Sequence, residues 1–326
     1  MPVRILQLTS AEMPEPLFER KIIMFLTGFT DEAGADLATQ LRATKELGWK
    51  FFETRKINDK TLSSMSDAEF DTLCAALDES GIKINCYGSE IANWKKHPRK
   101  EEDFQASIDE LTAAIPRMQK LGIKLVRGMS FVAVTDEQPD SPELEQIIFK
   151  KVRRLVEICA DNGIVYGHEN CRNYGGLSHR HTLKLLENVN HDNLKLIYDT
   201  GNPCTTYRRI GEPPYALQSS WEFYRNVREH IVYVHIKDFT AIPNADMSPV
   251  TRQRAFAGDG TGDVRAIVRD LRETGYDGGF SIEPHIAWER FGMPYDNEDD
   301  LTVRYHNYIT YGKRFEKLLR ECGWEF

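Results

Sequence analysis

Residues 162–170 read NGIVYGHEN. Glycine directly after a helix adopts a positive φ at no steric cost, so Gly163 predicts a helix end and a turn into the next element. The apolar run that starts at Ile164 is short, as in parallel strands that are buried on both faces. Glu169 stands at the carboxyl end of this predicted strand. The stretch therefore predicts a helix–glycine–strand unit that ends on an acid.

The same junction recurs along the chain, at Gly48, Gly81, Gly122 and Gly275. Its spacing of about 30–45 residues is the length of one strand plus one crossover helix. We predict strands near residues 22–29, 50–54, 82–87, 123–129, 164–169, 194–199, 231–236 and 279–283. We predict helices near residues 34–47, 67–79, 102–120, 142–161, 179–188, 219–229, 263–273 and 299–320.

Eight βα units with no break in composition predict an α/β fold, a (β/α)8 TIM barrel of eight parallel strands. A doubly wound open sheet is the alternative, but no G-x-G-x-x-G motif follows the first strand, which argues against a dinucleotide-binding version. We expect one domain at residues 22–326, preceded by an N-terminal extension at residues 1–21. Residues 239–262 and 285–298 follow strands and are expected to be loops over the barrel mouth.

Composition and charge indicate which kinds of molecule the protein binds. The net charge is −8 and no basic run stands out, which favours a small polar substrate over nucleic acid. No apolar run is long enough to span a bilayer, and the N-terminus lacks the order of a signal peptide. The six cysteines form no C-x-x-C pair, which is typical of reduced thiols. We expect a cytoplasmic protein without a membrane partner; a homo-oligomer is left open.

Four successive predicted strands end on ionisable residues, namely Glu169, Asp199, His235 and Glu283. In a parallel barrel the active site lies where the strands end, so three carboxylates and one imidazole would meet. Each residue alone could be a salt bridge or a cap at the rim. Together they predict a site for one divalent metal ion, since carboxylate and imidazole ligands suit Mn²⁺, Mg²⁺ or Co²⁺ and accept Zn²⁺. Coordination positions would remain for two substrate oxygens.

The motifs around these residues are similar to those of the xylose isomerase-like superfamily of sugar phosphate isomerases and epimerases. The most specific are HEN at 168–170, DTGN at 199–202, VHIKD at 234–238 and SIEPH at 281–285. The segments at 28–34, 47–55 and 257–260 also resemble the family, so the likeness extends from about residue 25 to about residue 320. The resemblance implies that the Glu, Asp, His and Glu of these motifs bind the metal, with Mn²⁺ the first expectation.

The resemblance implies an isomerase or epimerase that removes a proton α to a carbonyl and passes through a metal-stabilised cis-enediolate. Glu169 and Glu283 would be both ligands and the base and acid, whereas Asp199 and His235 would be ligands only. Lys237 points to the same side of its strand as His235, so it could bind a substrate oxygen or form a rim salt bridge with Asp238 or Asp199. Asn202 is the other candidate for substrate binding.

Two departures from the family pattern leave the substrate open. Asn202 stands where many sugar 3-epimerases carry a substrate-contacting histidine, and residues 89–93 read SEIAN where close relatives often read SPIGK. Because the lysine is missing there, we expect a non-phosphorylated sugar or keto-glycoside to be as good a candidate as a sugar phosphate. The substrate would in each case be a small carbohydrate.

Other functions remain on the same scaffold. One is a metal-dependent lyase, such as an inosose or 3-dehydroshikimate dehydratase or a 3-keto-glycoside deglycosidase, since all begin with α-proton abstraction. An apurinic-site endonuclease would need more histidines and a basic groove, and a non-catalytic binding module would not need paired carboxylates on a metal.

Among residues with secondary roles, we expect His168 in the layer behind the site, His179 and His181 at the surface, and Arg127 paired with an anion or a carboxylate. His285 is expected at the mouth or on backbone groups, and Trp94, Trp288 and Phe291 in a sugar pocket or an oligomer contact.

Overall fold

A computed structural model describes residues 24–244 and 250–326 of the chain. The N-terminal extension expected at residues 1–21 lies outside the described residues. Within them, eight parallel strands form one sheet in the order β1-β10-β7-β6-β5-β4-β3-β2. Their bounds are β1 Phe25–Gly28, β2 Phe51–Thr54, β3 Lys83–Gly88, β4 Leu125–Gly128, β5 Val165–Glu169, β6 Leu194–Asp199, β7 Ile231–Ile236 and β10 Gly279–Ile282. A hairpin described below supplies β8 Asp238–Ile242 and β9 Thr251–Ala255.

The sheet curls into a barrel. The two strands at the ends of this order, β1 and β2, are joined by a parallel bridge between Phe29 and Glu53. This ring confirms the predicted (β/α)8 barrel and excludes the doubly wound open sheet, in which the first and last strands in space stay apart.

The helices follow the strands as the sequence predicts, and their ends differ by a few residues. They are α1 Leu37–Glu46, α2 Asp67–Ser80, α3 Glu101–Leu121, α4 Pro142–Asp161, α5 His179–Val189, α6 Gly201–Cys204, α7 Ser220–Val227, α8 Val264–Glu273 and α9 Asp300–Glu321. Short 3-10 turns add Thr30–Glu32, Gly175–Leu177 and Arg228–His230. The four-residue helix α6 was not predicted; it begins two residues after Asp199 and so lies at the site.

Local chemistry explains why the helix boundaries could be predicted. Gly81 and Gly122 end α2 and α3 with φ of 68° and 72°, the left-handed conformation expected of them. Ser66 begins α2 through a capping box: its side chain accepts the N–H of Glu69, and the Glu69 carboxylate accepts the N–H of Ser66. Such signals depend only on neighbouring residues, so the helix boundaries can be predicted without the tertiary structure.

The core has an outer layer and a small interior. Two large clusters of buried apolar side chains lie between the helices and the outer face of the barrel. Inside the barrel, Cys86, Ile197 and Tyr233 pack together with Phe25 and Leu125. This apolar interior forms the floor below the strand ends and leaves the polar residues at the mouth. No helix within 24–244 and 250–326 is long and apolar enough to cross a membrane.

The segment at 239–262 was expected to be a loop or lid over the mouth, and the structure shows that part of it has regular secondary structure. It contains most of an antiparallel hairpin, in which β8 pairs with β9 from Asp238 opposite Ala255 to Ile242 opposite Thr251. The carboxylate of Asp238 accepts the N–H groups of Gly258, Gly260 and Gly262 at 2.9–3.0 Å. A Cβ on Gly260 would lie 2.3 Å from Oδ1 of Asp238, so only glycine fits there. The strand β9 reads TRQRA, which has no alternation of apolar and polar residues, so the sequence did not indicate a strand there.

Candidate metal centre and active site

The four predicted strand-end residues meet at the carboxyl end of the barrel. Glu169 ends β5, Asp199 ends β6, His235 is the fifth residue of β7, and Glu283 directly follows β10. Asp199 pairs with His235 in the sheet register, which places their side chains side by side. One ligand atom from each of the four residues lies within 4.8 Å of the other three, and all four residues are buried. The structure therefore brings the sequence-predicted ligand set to one point.

This set of atoms fits a divalent cation. Oxygen and imidazole ligands lie about 2.0–2.3 Å from such an ion, so two of them on opposite sides are about 4–4.6 Å apart. Oδ2 of Asp199 is buried and accepts no hydrogen bond from any residue in 24–244 or 250–326, although the Lys237 ammonium lies 3.0 Å away. An oxygen in that state is available as a metal ligand.

Glu53 orients the histidine of the set. Nδ1 of His235 faces Oε1 of Glu169 at 3.3 Å, while Nε2 lies 3.1 Å from Oε2 of Glu53. Glu53 is itself fully buried and accepts hydrogen bonds from Ser281 at 2.7 Å and Tyr233 at 3.1 Å. A metal-bound histidine commonly donates its other ring N–H to a carboxylate in this way. Burial alone would lower the pKa of His235, but Glu53 and Glu169 raise it to about 10.

Sequence reasoning assigned no role to Glu53. The signal was present, because Glu53 follows Phe51 and Phe52 near the end of β2, the same kind of position that identified the four ligands. The four predicted ligands stand on strands that are consecutive in the sequence, whereas β2 is distant from these strands in the sequence and Glu53 meets His235 only in the closed barrel.

We expect Glu53→Gln to weaken binding of a divalent ion by roughly 10- to 100-fold, because the amide no longer holds the Nε2 proton of His235 with a full negative charge. Competition of Mn²⁺ or Zn²⁺ against a chromophoric chelator measures the affinity. Ser281→Ala is the matched control: it removes one hydrogen bond to Glu53 but leaves the carboxylate on His235, so its loss should be smaller. Unchanged affinity in a folded Glu53→Gln protein would contradict this role.

Three cations lie against the two glutamates. Arg127 Nη1 is 3.3 Å from Oε2 of Glu169, Lys237 Nζ is 2.6 Å from Oε2 of Glu283, and Arg55 Nη1 is 3.1 Å from Oε1 of Glu283. Burial raises the pKa of Glu169, but Arg127 and the His235 hydrogen bond outweigh it and lower that pKa to about 2. The pKa of Glu283 is also held well below its usual value, because Lys237 and the neighbouring cations outweigh burial. Both carboxylates are therefore ionised.

Asn202 and Lys237, the predicted substrate-binding residues, both lie at the cluster. Asn202 donates its backbone N–H to Oδ1 of Asp199 at 2.7 Å, and its side-chain Nδ2 lies 3.4 Å from Oε1 of Glu169. Lys237 forms the ion pair with Asp199 that was one of the alternatives for it, and it also pairs with Glu283. Its ammonium is thus held at the ligand oxygens.

Arg55 was also missed. Its guanidinium bridges Glu283 and Asp31, with Nε 2.8 Å from Oδ2 of Asp31, and lies 4.8 Å from the centre of the Phe29 ring. The Arg127 guanidinium lies 5.0 Å from the centre of the same ring. Arg127 therefore pairs with a carboxylate, one of the two expectations for it. Phe29 separates the two cations that position the glutamates.

Four other histidines were given expected positions from the sequence. His168 is buried behind the site, with Nε2 2.9 Å from Oγ of Ser130, in agreement with the expected layer. His285 reaches the mouth, where its Nε2 lies 3.5 Å from Oε1 of Glu283.

His179 is half-buried, and the surface position expected for His181 was wrong. His181 is buried against the ring of Tyr174 and bonded to Ser178, because the first turn of α5 turns it inward.

Comparisons with known proteins agree with this architecture. Residues 41–302, more than half of the chain, match the family model of the xylose isomerase-like TIM barrel. A curated relative, the uncharacterized protein MJ1311 of Methanocaldococcus jannaschii, is 26% identical over 138 residues, which are 41% of this chain and 42% of that protein. The match thus spans less than half the length of that relative.

Three solved structures are similar over nearly their whole length. The IolI protein with a bound zinc atom has a TM-score of 0.69 at 17% identity, over 91% of this chain and 99% of that one. D-Psicose 3-epimerase with D-tagatose, from Clostridium cellulolyticum H10, has 0.63 at 16%, over 91% and 99%. The probable 3-DHS dehydratase AsbF of Bacillus anthracis has 0.60 at 15%, over 88% and 97%. At these identities the likeness shows the shared fold. With the family match, it establishes that this chain belongs to the xylose isomerase-like TIM barrel family.

Proposed function

We propose that the protein is a metal-dependent sugar isomerase or epimerase that acts by abstracting a proton α to a carbonyl. The observation that carries the proposal is the meeting of Glu169, Asp199, His235 and Glu283 within 4.8 Å at the strand ends. Two of these four are long carboxylates on separate strands, a set that can hold an ion and still present a base. The similarity to an epimerase structure and to a zinc-bound barrel supports the same class.

The four residues would have different roles in metal binding and catalysis. Asp199 and His235 would hold the ion, and the Glu53 carboxylate would fix the orientation of the His235 ring. When bound, a divalent ion, Mn²⁺ first with Mg²⁺, Co²⁺ and Zn²⁺ as alternatives, acts as a Lewis acid that stabilises negative charge on the substrate carbonyl oxygen. Glu169 and Glu283 also contribute ligand oxygens. The buried position of all four residues excludes water, which strengthens each of these interactions.

Proton transfer falls to the two glutamates. Because Arg127 and Lys237 keep them ionised, either can accept the α-proton as a base. For the carbon-bound proton an isomerase needs only this one carboxylate, which returns the proton to the neighbouring carbon, while the hydroxyl proton passes from one substrate oxygen to the other. An epimerase also needs a proton on the opposite carboxylate once the substrate is bound. Since both are ionised in the free protein, one of them must take up a proton before it can act as the acid of an epimerase.

Lys237 and Asn202 would contact the substrate. The Lys237 ammonium lies 2.6 Å from Glu283 and 3.0 Å from Asp199, close enough to donate to an oxygen that enters between them. Its positive charge would stabilise the negative charge that develops on the enediolate. Asn202 offers a neutral amide at the other side, next to Glu169. We propose a small carbohydrate as the substrate.

Incubation in D2O tests the proposal. The metal-loaded protein is offered a panel of ketoses and keto-glycosides, and deuterium at the α-carbon is followed by NMR. We expect exchange with at least one compound, its loss on chelation and its return with Mn²⁺. The configuration of the product separates an isomerase from an epimerase, and loss of water or of an aglycone would make the protein a lyase. No exchange across the panel with a fully loaded site would contradict the proposal.

A further inference from the structure

A series of hydrogen bonds, which we call the interior chain, crosses the barrel below the predicted metal ligands. Oγ1 of Thr27 donates to Oδ1 of Asn85 at 2.8 Å, and Nδ2 of Asn85 donates to the hydroxyl of Tyr233 at 2.8 Å. The Tyr233 hydroxyl donates to Oε2 of Glu53 at 3.1 Å, and the same oxygen lies 3.1 Å from Nε2 of His235. Five side chains from four strands are thus connected in series to one predicted ligand.

The sheet is locally irregular at Asn85. The register between β2 and β3 moves from Phe52 opposite Ile84 to Glu53 opposite Cys86, so Asn85 lies between the two pairs. The pairing of β3 with β4 also starts only at Cys86. An extra residue in a strand can re-aim a side chain, and here the irregularity directs the Asn85 amide into the interior chain.

Each hydrogen bond of the interior chain can run in only one direction. The Glu53 carboxylate accepts but cannot donate, so the Tyr233 hydroxyl must donate to it and must accept from Asn85. Asn85 must then turn its NH2 group to Tyr233 and its oxygen to Thr27, which is the arrangement in the structure. The interior chain therefore holds Glu53 as an acceptor.

The interior chain reaches the metal site through the two nitrogens of one imidazole ring. Nε2 of His235 can donate to Glu53, which leaves a lone pair on Nδ1 when the ring carries one proton. Nδ1 lies 3.3 Å from Oε1 of Glu169 and 4.0 Å from Oε2 of Glu283, so it faces the other ligands. Because the hydrogen bond of one ring nitrogen decides whether the other can bind a metal, Glu53 prepares the nitrogen that faces the site.

We propose that Asn85 and Tyr233 are positioning residues for the metal, which act through Glu53 to hold the His235 ring with Nδ1 toward the ion. The inference rests on the metal site of the proposed function and extends it to residues in the barrel interior. Without the Tyr233 hydroxyl, the Glu53 carboxylate loses one of the groups that fix its orientation. The His235 ring, which depends on that carboxylate, would then be held less firmly.

Metal affinity tests the interior chain without turnover, with Zn²⁺ in competition against a chromophoric chelator. Tyr233→Phe removes the hydroxyl and keeps the ring, whose centre is 5.6 Å from that of His235. We expect binding to weaken roughly three- to tenfold, the effect of one hydrogen bond. The matched control is Tyr87→Phe, which should leave the affinity unchanged. Tyr87 is also fully buried, and its hydroxyl also donates to a carboxylate at 3.1 Å, that of Glu110 outside the ligand set.

A double-mutant cycle shows whether Tyr233 acts through Glu53. In the Glu53→Gln protein, the added Tyr233→Phe change should weaken binding by less than about twofold, because the charged partner is already gone.

Asn85→Asp is a second variant, at a half-buried position. The new carboxylate would accept the Tyr233 hydroxyl proton in place of Glu53, so we expect Zn²⁺ to bind more weakly. An added negative charge by itself would attract the cation more strongly, so the sign of the change distinguishes the two effects.

The outcomes separate the positioning role from the proposed function. An unchanged affinity in Tyr233→Phe, an equal loss in Tyr87→Phe, the full loss in the Glu53→Gln background, or tighter binding by Asn85→Asp overturns the positioning role. A wild type that binds no divalent ion removes both the metal site and this inference. The expected cycle without α-proton exchange on any sugar keeps the positioning role and removes only the proposed reaction. Thermal melting with a chelator present checks that each variant is folded.

Discussion

Glu169→Asp and Glu283→Asp are expected to retain the metal and to lose α-proton exchange by about a hundredfold or more. Each change keeps the charge but withdraws the carboxylate by one methylene. A coordinated water can fill the gap at the ion, whereas a base must come within about 3 Å of the proton that it removes. A misplacement of about 1 Å is enough to cost on the order of a hundredfold in rate. Metal content by elemental analysis and exchange in D2O measure the two effects.

A matched control comes from a buried carboxylate elsewhere in the barrel. Glu145, in the first turn of α4, is 3% exposed and is bonded to Tyr174 at 2.7 Å and to Lys184, not to the predicted ligands, so Glu145→Asp should lower stability and leave exchange intact. Wild-type exchange in Glu283→Asp would make Glu283 a ligand only and would favour a single base at Glu169. The converse result in Glu169→Asp would assign the base to Glu283.

Asp199→Asn should act on the metal first. Its Oδ1 can still accept the N–H groups of Gly201 and Asn202, so the start of α6 is kept. The position of Oδ2 would then be occupied by a neutral amide beside the Lys237 ammonium, which removes one negative charge from the ligand set. We expect a loss of affinity larger than the roughly 10- to 100-fold that removal of an outer partner such as Glu53 causes.

Exchange by Asp199→Asn should recover in excess Mn²⁺, because Glu169 and Glu283 are both intact. Titration of the ion against exchange rate measures this recovery. The discriminating result is the contrast between variants: the shortened glutamates keep the metal and stay inactive, whereas Asp199→Asn loses the metal and is rescued. If Asp199→Asn retains full metal at low ion concentrations, Asp199 is no ligand, and its buried oxygen belongs to the ion pair with Lys237.

The sequence by itself determined the number, order and approximate bounds of the βα units. Apolar runs, capping residues and glycines such as Gly81 and Gly122 act on their own neighbours, so their meaning does not depend on distant parts of the chain. Eight such units allow few ways to bury every strand, and the barrel is one of them. Once the strands are parallel, Glu169, Asp199, His235 and Glu283 must lie at one end of the barrel.

Only the tertiary structure decided which residues complete that end. Glu53 meets His235 and Arg55 meets Glu283 because the sheet closes between β1 and β2, which brings together residues 182 and 228 positions apart. Lys237 contacts Asp199 and Glu283 rather than the neighbouring Asp238, because Asp238 is engaged by three backbone N–H groups of the glycine turn. The hairpin β8–β9 could not be predicted for a related reason: its strands are short and β9 is largely polar, so it lacks the alternation of apolar residues that indicates a strand.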